Sequence, residues 1–213
     1  MKLYGRRSSI NVQKVLWCLA ELGRVEGRDF ERIDAGLAFG VIDTPEYRRL
    51  NPNGLVPTLV DGDFVLWESN SIARYLATAY GDGALLPADA RARADVERWM
   101  DWQLGTLWAT LRVAFLGLTR TPEAQRDYRA IAGSYDGASR LLSIADGVLQ
   151  GQPYLAGDRF TLADLVVALC VHRWIDLGDR FADRVGERET LPALADWYGR
   201  ATARPAFEVV LRP

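Results

Sequence analysis

The chain has 213 residues, 49% of them hydrophobic and 25% charged, with a formal net charge of −2. At that length roughly 70% of the unfolded surface is buried on folding, enough for two small domains or one larger one without staples. The faintly acidic balance argues against a nucleic-acid partner, which would need a basic surface, and the absence of any apolar run near 18 residues or of a charged-then-apolar leader argues against a membrane span or signal peptide.

Lys2-Leu3-Tyr4-Gly5 reads as a short strand running into Arg6-Arg7-Ser8-Ser9-Ile10-Asn11. A helix follows with Val12, Val15, Leu16, Leu19 and Leu22 inward, ended by Gly23. Asp29 to Ile33 is a second strand, and a glycine-dotted stretch leads to a short helix around Thr44 to Leu50. In Val56-Pro57-Thr58-Leu59-Val60, Pro57 lacks an N–H and cannot sit inside a paired central strand. It therefore opens the strand and leaves the backbone of Val56 free of the sheet. Asp61-Gly62 is a hairpin turn, with Phe64 to Trp67 as the returning strand. Glu68-Ser69-Asn70-Ser71 opens a helix whose apolar face is Ile72, Tyr75, Leu76 and Ala79. A free backbone edge and a helix N-terminus thus lie one hairpin apart, a place to hold an extended, anionic, peptide-like ligand. Strand–helix–strand followed by hairpin and helix is an α/β layout with a mixed sheet.

Gly81 to Asp89 is a linker, and strand signals stop there. Val96, Met100, Leu104, Leu107, Leu111, Phe115 and Leu118 recur every three or four residues, predicting one long helix from Ala90 to Thr119. Thr121-Pro122-Glu123 starts another, running to Leu149. After a loop at 152–158, Thr161 and Asp164 form a capping-box variant with Phe160 and Leu165 as the hydrophobic staple. The helix from Leu162 to Asp176 is apolar on most faces and so central. Pro192 to Thr202 is the last helix, and Arg204-Pro205 begins a tail.

Cys18 and Cys170 fall in helix interiors without metal spacing or a disulfide framework, which suits a reducing cytoplasm. His172, the single histidine, lies in an apolar helix and reads as a packed imidazole.

An α/β domain followed by an all-helical one, with Ser9-Ile10-Asn11, Asn51-Pro52-Asn53-Gly54-Leu55-Val56-Pro57-Thr58-Leu59, Glu68-Ser69-Asn70-Ser71-Ile72 and Phe160 to Asp164 in this order, resembles the cytosolic glutathione S-transferase superfamily. Within it the chain looks like the bacterial theta-, phi- and nu-like branches, which use a hydroxyl near the first helix. The resemblance implies a thioredoxin-like N-terminal domain with a mixed four-stranded sheet (residues 1–79) and an all-α C-terminal domain (89–213). It also implies a homodimer, glutathione as co-substrate, a small hydrophobic electrophile and no metal.

In the family Pro57 would be cis, and Val56 would pair its N–H and C=O with the cysteinyl unit of glutathione. Glu68 would face the ligand's ammonium, and Ser69, at a helix N-terminus whose N–H groups lack internal partners, would take the γ-glutamyl carboxylate. A plain N-cap role for Ser69 is compatible with this. Ser9 aligns with the family's catalytic hydroxyl and Asn11 with an asparagine of nu-like members; Ser8 competes by adjacency. The alternative is that all three only cap the helix. A thiol with pKa about 8.5 needs roughly 1.4 kcal/mol per unit of depression. A hydrogen bond to the charged sulfur supplies about 1.5–3 kcal/mol, and a helix N-terminus about 0.3–1 kcal/mol. That is enough for about one to three units without a general base.

Ile10 stands where cysteine-dependent branches carry their nucleophile, which argues against protein mixed-disulfide chemistry. Leu55 stands where the family commonly has a basic or polar side chain for the glycyl carboxylate, so that recognition is weakened or moves to an arginine such as Arg6 or Arg7. The electrophile would sit between the domains, with Trp108, Leu111 and Phe115 as apolar wall and Arg112 at its edge. Rival readings are peroxide or disulfide reduction on the same thiolate, isomerase or dehalogenase chemistry with glutathione, and a non-catalytic binding module.

Overall fold

The computed structural model describes residues 1–212. They form two compact units, Met1–Ala88 joined by the residues from Ala203 onward, and Asp89–Thr202.

The first unit carries a four-stranded mixed sheet in the order β2-β1-β3-β4. Its strands are β1 (Lys2–Tyr4), β2 (Glu31–Ile33), β3 (Thr58–Asp61) and β4 (Phe64–Trp67). β1 runs parallel to β2 and antiparallel to β3, and β3 pairs antiparallel with β4. The parallel β1–β2 pair requires a crossover, which α1 (Ile10–Glu21) supplies. Val12, Val15, Leu16 and Leu19 of α1 are buried, as the periodicity requires. α2 (Pro45–Leu50) opens on Thr44, whose hydroxyl accepts from Tyr47 N–H at 3.2 Å.

On α3 (Ser69–Tyr80) the buried face is Ile72, Ala73, Leu76 and Ala77, with Tyr75 half-buried and Ala79 exposed. The expected face is thus turned by one position. Tyr75 is drawn off it by a polar partner: its hydroxyl donates to Asp61 at 2.8 Å, beside a second donor, Tyr80.

The chain's tail differs from expectation in its place. The residues from Ala203 on, expected with the helical domain, pack on the first unit. Arg204 forks onto Glu21 at 2.7 and 2.6 Å, the Phe207 ring meets Trp17 edge-on at 4.9 Å, and Gln13 donates to the Val210 carbonyl at 3.2 Å.

The second unit is helical. The predicted helix over 90–119 is interrupted: α4 (Ala90–Trp102) and α5 (Trp108–Thr119) are joined by a π-helical turn at Gln103–Leu107. The wider turn shifts the phase of the apolar stripe. Gln103 becomes fully buried and donates to Cys170 Sγ at 3.0 Å, while Leu104, expected inward, is 39% exposed.

α6 (Tyr128–Leu149) starts later than the expected Thr121, capped by Asp127, whose side chain accepts from Ala130 N–H at 3.0 Å. It packs tightly on α5. A Cβ on Gly117 would come within 2.7 Å of Ile131, and the Ser134 hydroxyl bridges Ala114 N–H (2.9 Å) and Thr110 C=O (2.6 Å) across the α5 ladder.

α7 (Leu162–Arg180) is the buried central helix, followed by α8 (Ala182–Val185), α9 (Pro192–Thr202) and, on the first unit, α10 (Glu208–Leu211). Asp164, fully buried, accepts from Thr161 N–H, Leu155 N–H and Trp197 Nε1, each at 2.8–2.9 Å. It ties the start of α7 to the preceding loop and to α9, the folding role expected of it. Burial raises its carboxyl above the usual range despite these donors.

Candidate active site

Strand register gathers the first unit's ligand candidates. Tyr4 pairs with Thr58, and Thr58 with Trp67, so one row of the sheet ends three segments together. Gly5 to Asn11 leaves from Tyr4, Val56-Pro57 enters at Thr58, and Glu68-Ser69 leaves from Trp67. Gly5 makes the first departure possible. With φ +153 it passes so close to α1 that a Cβ would lie 2.4 Å from a Val12 methyl and 3.4 Å from Val56 Cβ.

Ser9 occupies the N-cap of α1 in extended geometry, yet its side chain makes no capping bond. It is 8% exposed, whereas Ser8 is exposed. A capping serine normally spends its hydroxyl on the N2 or N3 amide; this one does not. Asn11, in the first turn, has a buried carboxamide oxygen that meets no donor among the described residues. Such an orphan calls for a specific explanation.

The Val56–Pro57 bond is cis. No hydrogen bond among the described residues reaches the N–H or C=O of Val56. The bend around it is braced by two residues that the sequence reading missed. Tyr47, almost fully buried, donates to the Leu55 carbonyl at 2.6 Å and pairs with Thr58 Oγ1 at 2.8 Å. Asn51 donates to the same two oxygens, at 2.9 and 3.1 Å. Burial, only partly offset by these bonds, pushes the Tyr47 phenol above its ordinary pKa. The signal available was Asn51 before Pro52-Asn53-Gly54, a turn-forming run; Tyr47 carried none beyond being an aromatic in a polar helix.

Glu68 takes φ +71, a region that costs a non-glycine residue about 1–3 kcal/mol and that clusters at ligand sites. Its exposed carboxylate makes no cap bond to α3, while Ser69 behind it is buried. Beneath this end Lys14, fully buried, donates to Asn70 Oδ1 at 3.0 Å, linking α1 to the first turn of α3. A lysine among Val12, Val15 and Leu16 was the sequence-level hint.

Neither cysteine is a nucleophile candidate. Cys18 is fully buried against the Ala73 carbonyl, and burial drives its thiol pKa strongly up, with Glu21 adding to the rise. Cys170 is likewise buried.

In the helical unit Trp108, Arg112 and Phe115 share one face of α5, with the Trp108 and Phe115 rings 5.5 Å apart. Leu111 does not join them. It is 0% exposed and belongs to the core, because the stripe Leu107–Leu111–Leu118 faces inward. The reading missed Arg173 of α7, whose guanidinium lies 5.8 Å over the Phe115 ring. His172 pairs with the Tyr198 hydroxyl at 2.7 Å, and among the described residues no group of three or more His, Cys, Asp or Glu side chains is placed to hold a metal.

Residues 1–78 match the family described as "Glutathione S-transferase, N-terminal domain", and residues 108–205 the one described as "Glutathione S-transferase, C-terminal domain". The chain is 38% identical to glutathione S-transferase GstB of Escherichia coli K12 over 211 residues, 98% of this chain and 96% of that one. It is 34% identical over 212 residues to glutathione S-transferase 3 of Zea mays, 98% of this chain and 91% of that one. Among solved structures, the theta-class glutathione S-transferase of Xanthomonas axonopodis pv. citri, with glutathione bound, superposes with a TM-score of 0.88 at 44% identity, covering 100% of this chain and 97% of that one.

Proposed function

The chain belongs to the glutathione S-transferase family and is a glutathione transferase, and from that premise we propose how its own residues bind and activate the thiol. Val56 offers an N–H and a C=O to the cysteinyl unit. Ser69 and the first amides of α3 take the γ-glutamyl carboxylate, where donors and helix dipole act together, and Glu68 meets the ammonium. The Ser9 hydroxyl donates to the sulfur and Asn11 supports it. Thiolate is favoured because a hydrogen bond to a charged acceptor is worth about 1.5–3 kcal/mol. With each pKa unit equal to about 1.4 kcal/mol, the nucleophile becomes available near neutral pH without a protein base.

The observation that carries this reading is Ser9 itself, a serine at a helix N-cap whose hydroxyl leaves the cap unfilled. Trp108, Phe115 and Arg112 line the place of a small hydrophobic electrophile, supported by their shared face on α5. The working assembly is a homodimer. The half-exposed aromatics Phe64 and Trp67 on the edge strand β4 support a second copy there, since such an edge is otherwise a liability. The buried thiols Cys18 and Cys170, neither of them in a disulfide, support a cytoplasmic home.

The test is Ser9→Ala. The apparent pKa in the pH profile of kcat/KM should rise by about one to two units, with a fall of about 10- to 100-fold at neutral pH. Stabilisation of the chain by millimolar glutathione should persist, because ligand binding to the folded state raises Tm whether or not the sulfur ionises. An unchanged profile would pass the role to Ser8 or Asn11.

A further inference from the structure

The helical unit holds a cavity that the thiol chemistry does not use. It measures about 350 Å³ and lies between α7, the start of α9 and the segment 188–191 that leads into α9. Small-molecule sites usually occupy about 300–1,000 Å³. α7 presents Val171, Trp174 and Ile175 to it, at spacings of three and four that place them on one helical face. Leu191 and Leu194 close the apolar wall from the α9 side. At about 3.6 residues per turn, Arg173, which leans over Phe115, projects from nearly the opposite face of α7. The cavity is therefore separate from the Trp108–Arg112–Phe115 face of α5 and shares no residue with it.

Its polar groups are few, and they accept rather than donate. Tyr198 stands on the α9 wall with its hydroxyl 2.7 Å from His172 Nδ1. Burial keeps the phenol protonated and the imidazole neutral at pH 7. With the imidazole proton on Nε2, the phenol donates to Nδ1, and its oxygen keeps lone pairs for a donor in the cavity. At the rim, Glu189 forms no ion pair among the described residues, and its carboxylate takes only a long contact of 3.4 Å from the Ser143 hydroxyl. The cation beside it is already committed: Arg188 pairs with Asp179 and reaches the Ile175 carbonyl at 3.4 Å. An anionic ligand would meet a neutralised guanidinium and an open carboxylate.

We propose that this cavity is a second ligand site, for a cationic arylalkylamine. The flat ring enters the slot against Trp174 and Leu194, a ring N–H donates to the Tyr198 oxygen, and the ammonium stays at the rim on Glu189. Burial of the ring supplies most of the affinity. The two acceptors, one at the wall and one at the rim, select against arenes that lack a donor or carry a negative charge.

The experiment is calorimetric titration of the full chain at pH 7.5 and low salt with tryptamine, its neutral counterpart 3-ethylindole and the anionic indole-3-propionate. Tryptamine should bind with a Kd on the order of 0.1–1 mM, as suits a ligand of its size. 3-Ethylindole should bind about two- to fivefold more weakly, the worth of an exposed ion pair, and indole-3-propionate more than about tenfold more weakly. Glu189→Gln should erase the advantage of tryptamine over 3-ethylindole. Tyr198→Phe should weaken tryptamine about three- to tenfold and leave 1-methyltryptamine, which lacks the ring N–H, within about twofold. Ala195→Phe, which fills the cavity from an exposed position of α9, should abolish tryptamine binding and leave turnover of glutathione within about twofold.

No heat from tryptamine at 10-fold the expected Kd would overturn the proposal. So would equal affinity for all three indoles, or binding that survives both Glu189→Gln and Ala195→Phe. Displacement of tryptamine by saturating S-hexylglutathione would assign the amine to the thiol site instead and overturn the proposal while sparing the glutathione reading.

Discussion

In the first unit the groups proposed to meet glutathione are largely main-chain: the amide and carbonyl of Val56 and the opening amides of α3. In the helical unit they are side chains, the Trp108 and Phe115 rings on one face of α5 with Arg173 leaning over the second. Main-chain groups cannot be tuned by substituting the residue that carries them. Their placement depends on whatever fixes the backbone, here a register row through Tyr4, Thr58 and Trp67 and the buried oxygens and amides of Tyr47 and Asn51. Aromatic side chains on a helix can change without disturbing that backbone. The contrast suits the proposed division between one constant thiol and a variable electrophile.

The sharpest way to break the comparison is to exchange contact for brace. Val56→Ala keeps the amide and carbonyl, so KM for glutathione should move by less than about threefold, and stability should drop modestly for a half-buried residue. Tyr47→Phe touches no ligand, yet it leaves the Leu55 carbonyl and Thr58 hydroxyl short of a partner, a loss of about 1–3 kcal/mol in stability. That corresponds to a Tm lower by roughly 2–12 °C for a chain of this length. KM for glutathione should rise several-fold with it. Denaturation curves and kinetics on both variants decide the matter. A larger glutathione defect in Val56→Ala than in Tyr47→Phe would mean that side chain, not bend, holds the thiol.

Trp108→Ala should produce the converse, smaller effect. Removing a half-buried ring from the exposed face of α5 should raise KM for apolar electrophiles about three- to tenfold while the thermal shift by glutathione stays within error. Leu111→Ala serves as contrast: it empties a core position and should cost about 2–5 kcal/mol of stability without changing electrophile preference. A loss of the glutathione shift in Trp108→Ala would show that the two sets of groups are not independent.

Local signals made the first unit legible. Asp61-Gly62 turned the hairpin, Pro57 excluded itself from a central strand, and Ser9 stood at a helix start, each a constraint acting within a few residues. What escaped were devices that act at a distance or break a period. The apolar rhythm Val96, Met100, Leu107, Leu111, Leu118 runs on across the π turn, so nothing in it disclosed the phase shift that exposes Leu104 and buries Gln103. Phe207 and Arg204 carry no mark of their partners Trp17 and Glu21, about 190 positions away in the chain. Tyr47 looked like one aromatic in Pro-Glu-Tyr-Arg-Arg-Leu until Leu55 and Thr58 were brought to its hydroxyl.

Two partly or fully buried phenols sharpen the comparison at its weakest end. Tyr47 braces the Val56–Pro57 bend, whereas Tyr198, its pKa pushed up to about 12 by burial, pairs with His172 inside the helical unit. Burial, aided by Arg173 and opposed by Asp176, lowers the His172 pKa below its ordinary value near 6.5. The unfolded chain therefore binds the extra proton first as pH falls. The contribution is complete above about 6.5 and is lost progressively as pH drops from there toward the lowered folded value. His172→Gln should flatten that part of the stability profile, seen as a smaller Tm difference between pH 7.5 and 5.5 than in the unaltered chain. It should leave the pH profile of kcat/KM untouched. If the kinetic profile moved instead, the imidazole would belong to the chemistry, and the helical unit's polar interior would no longer be only a scaffold.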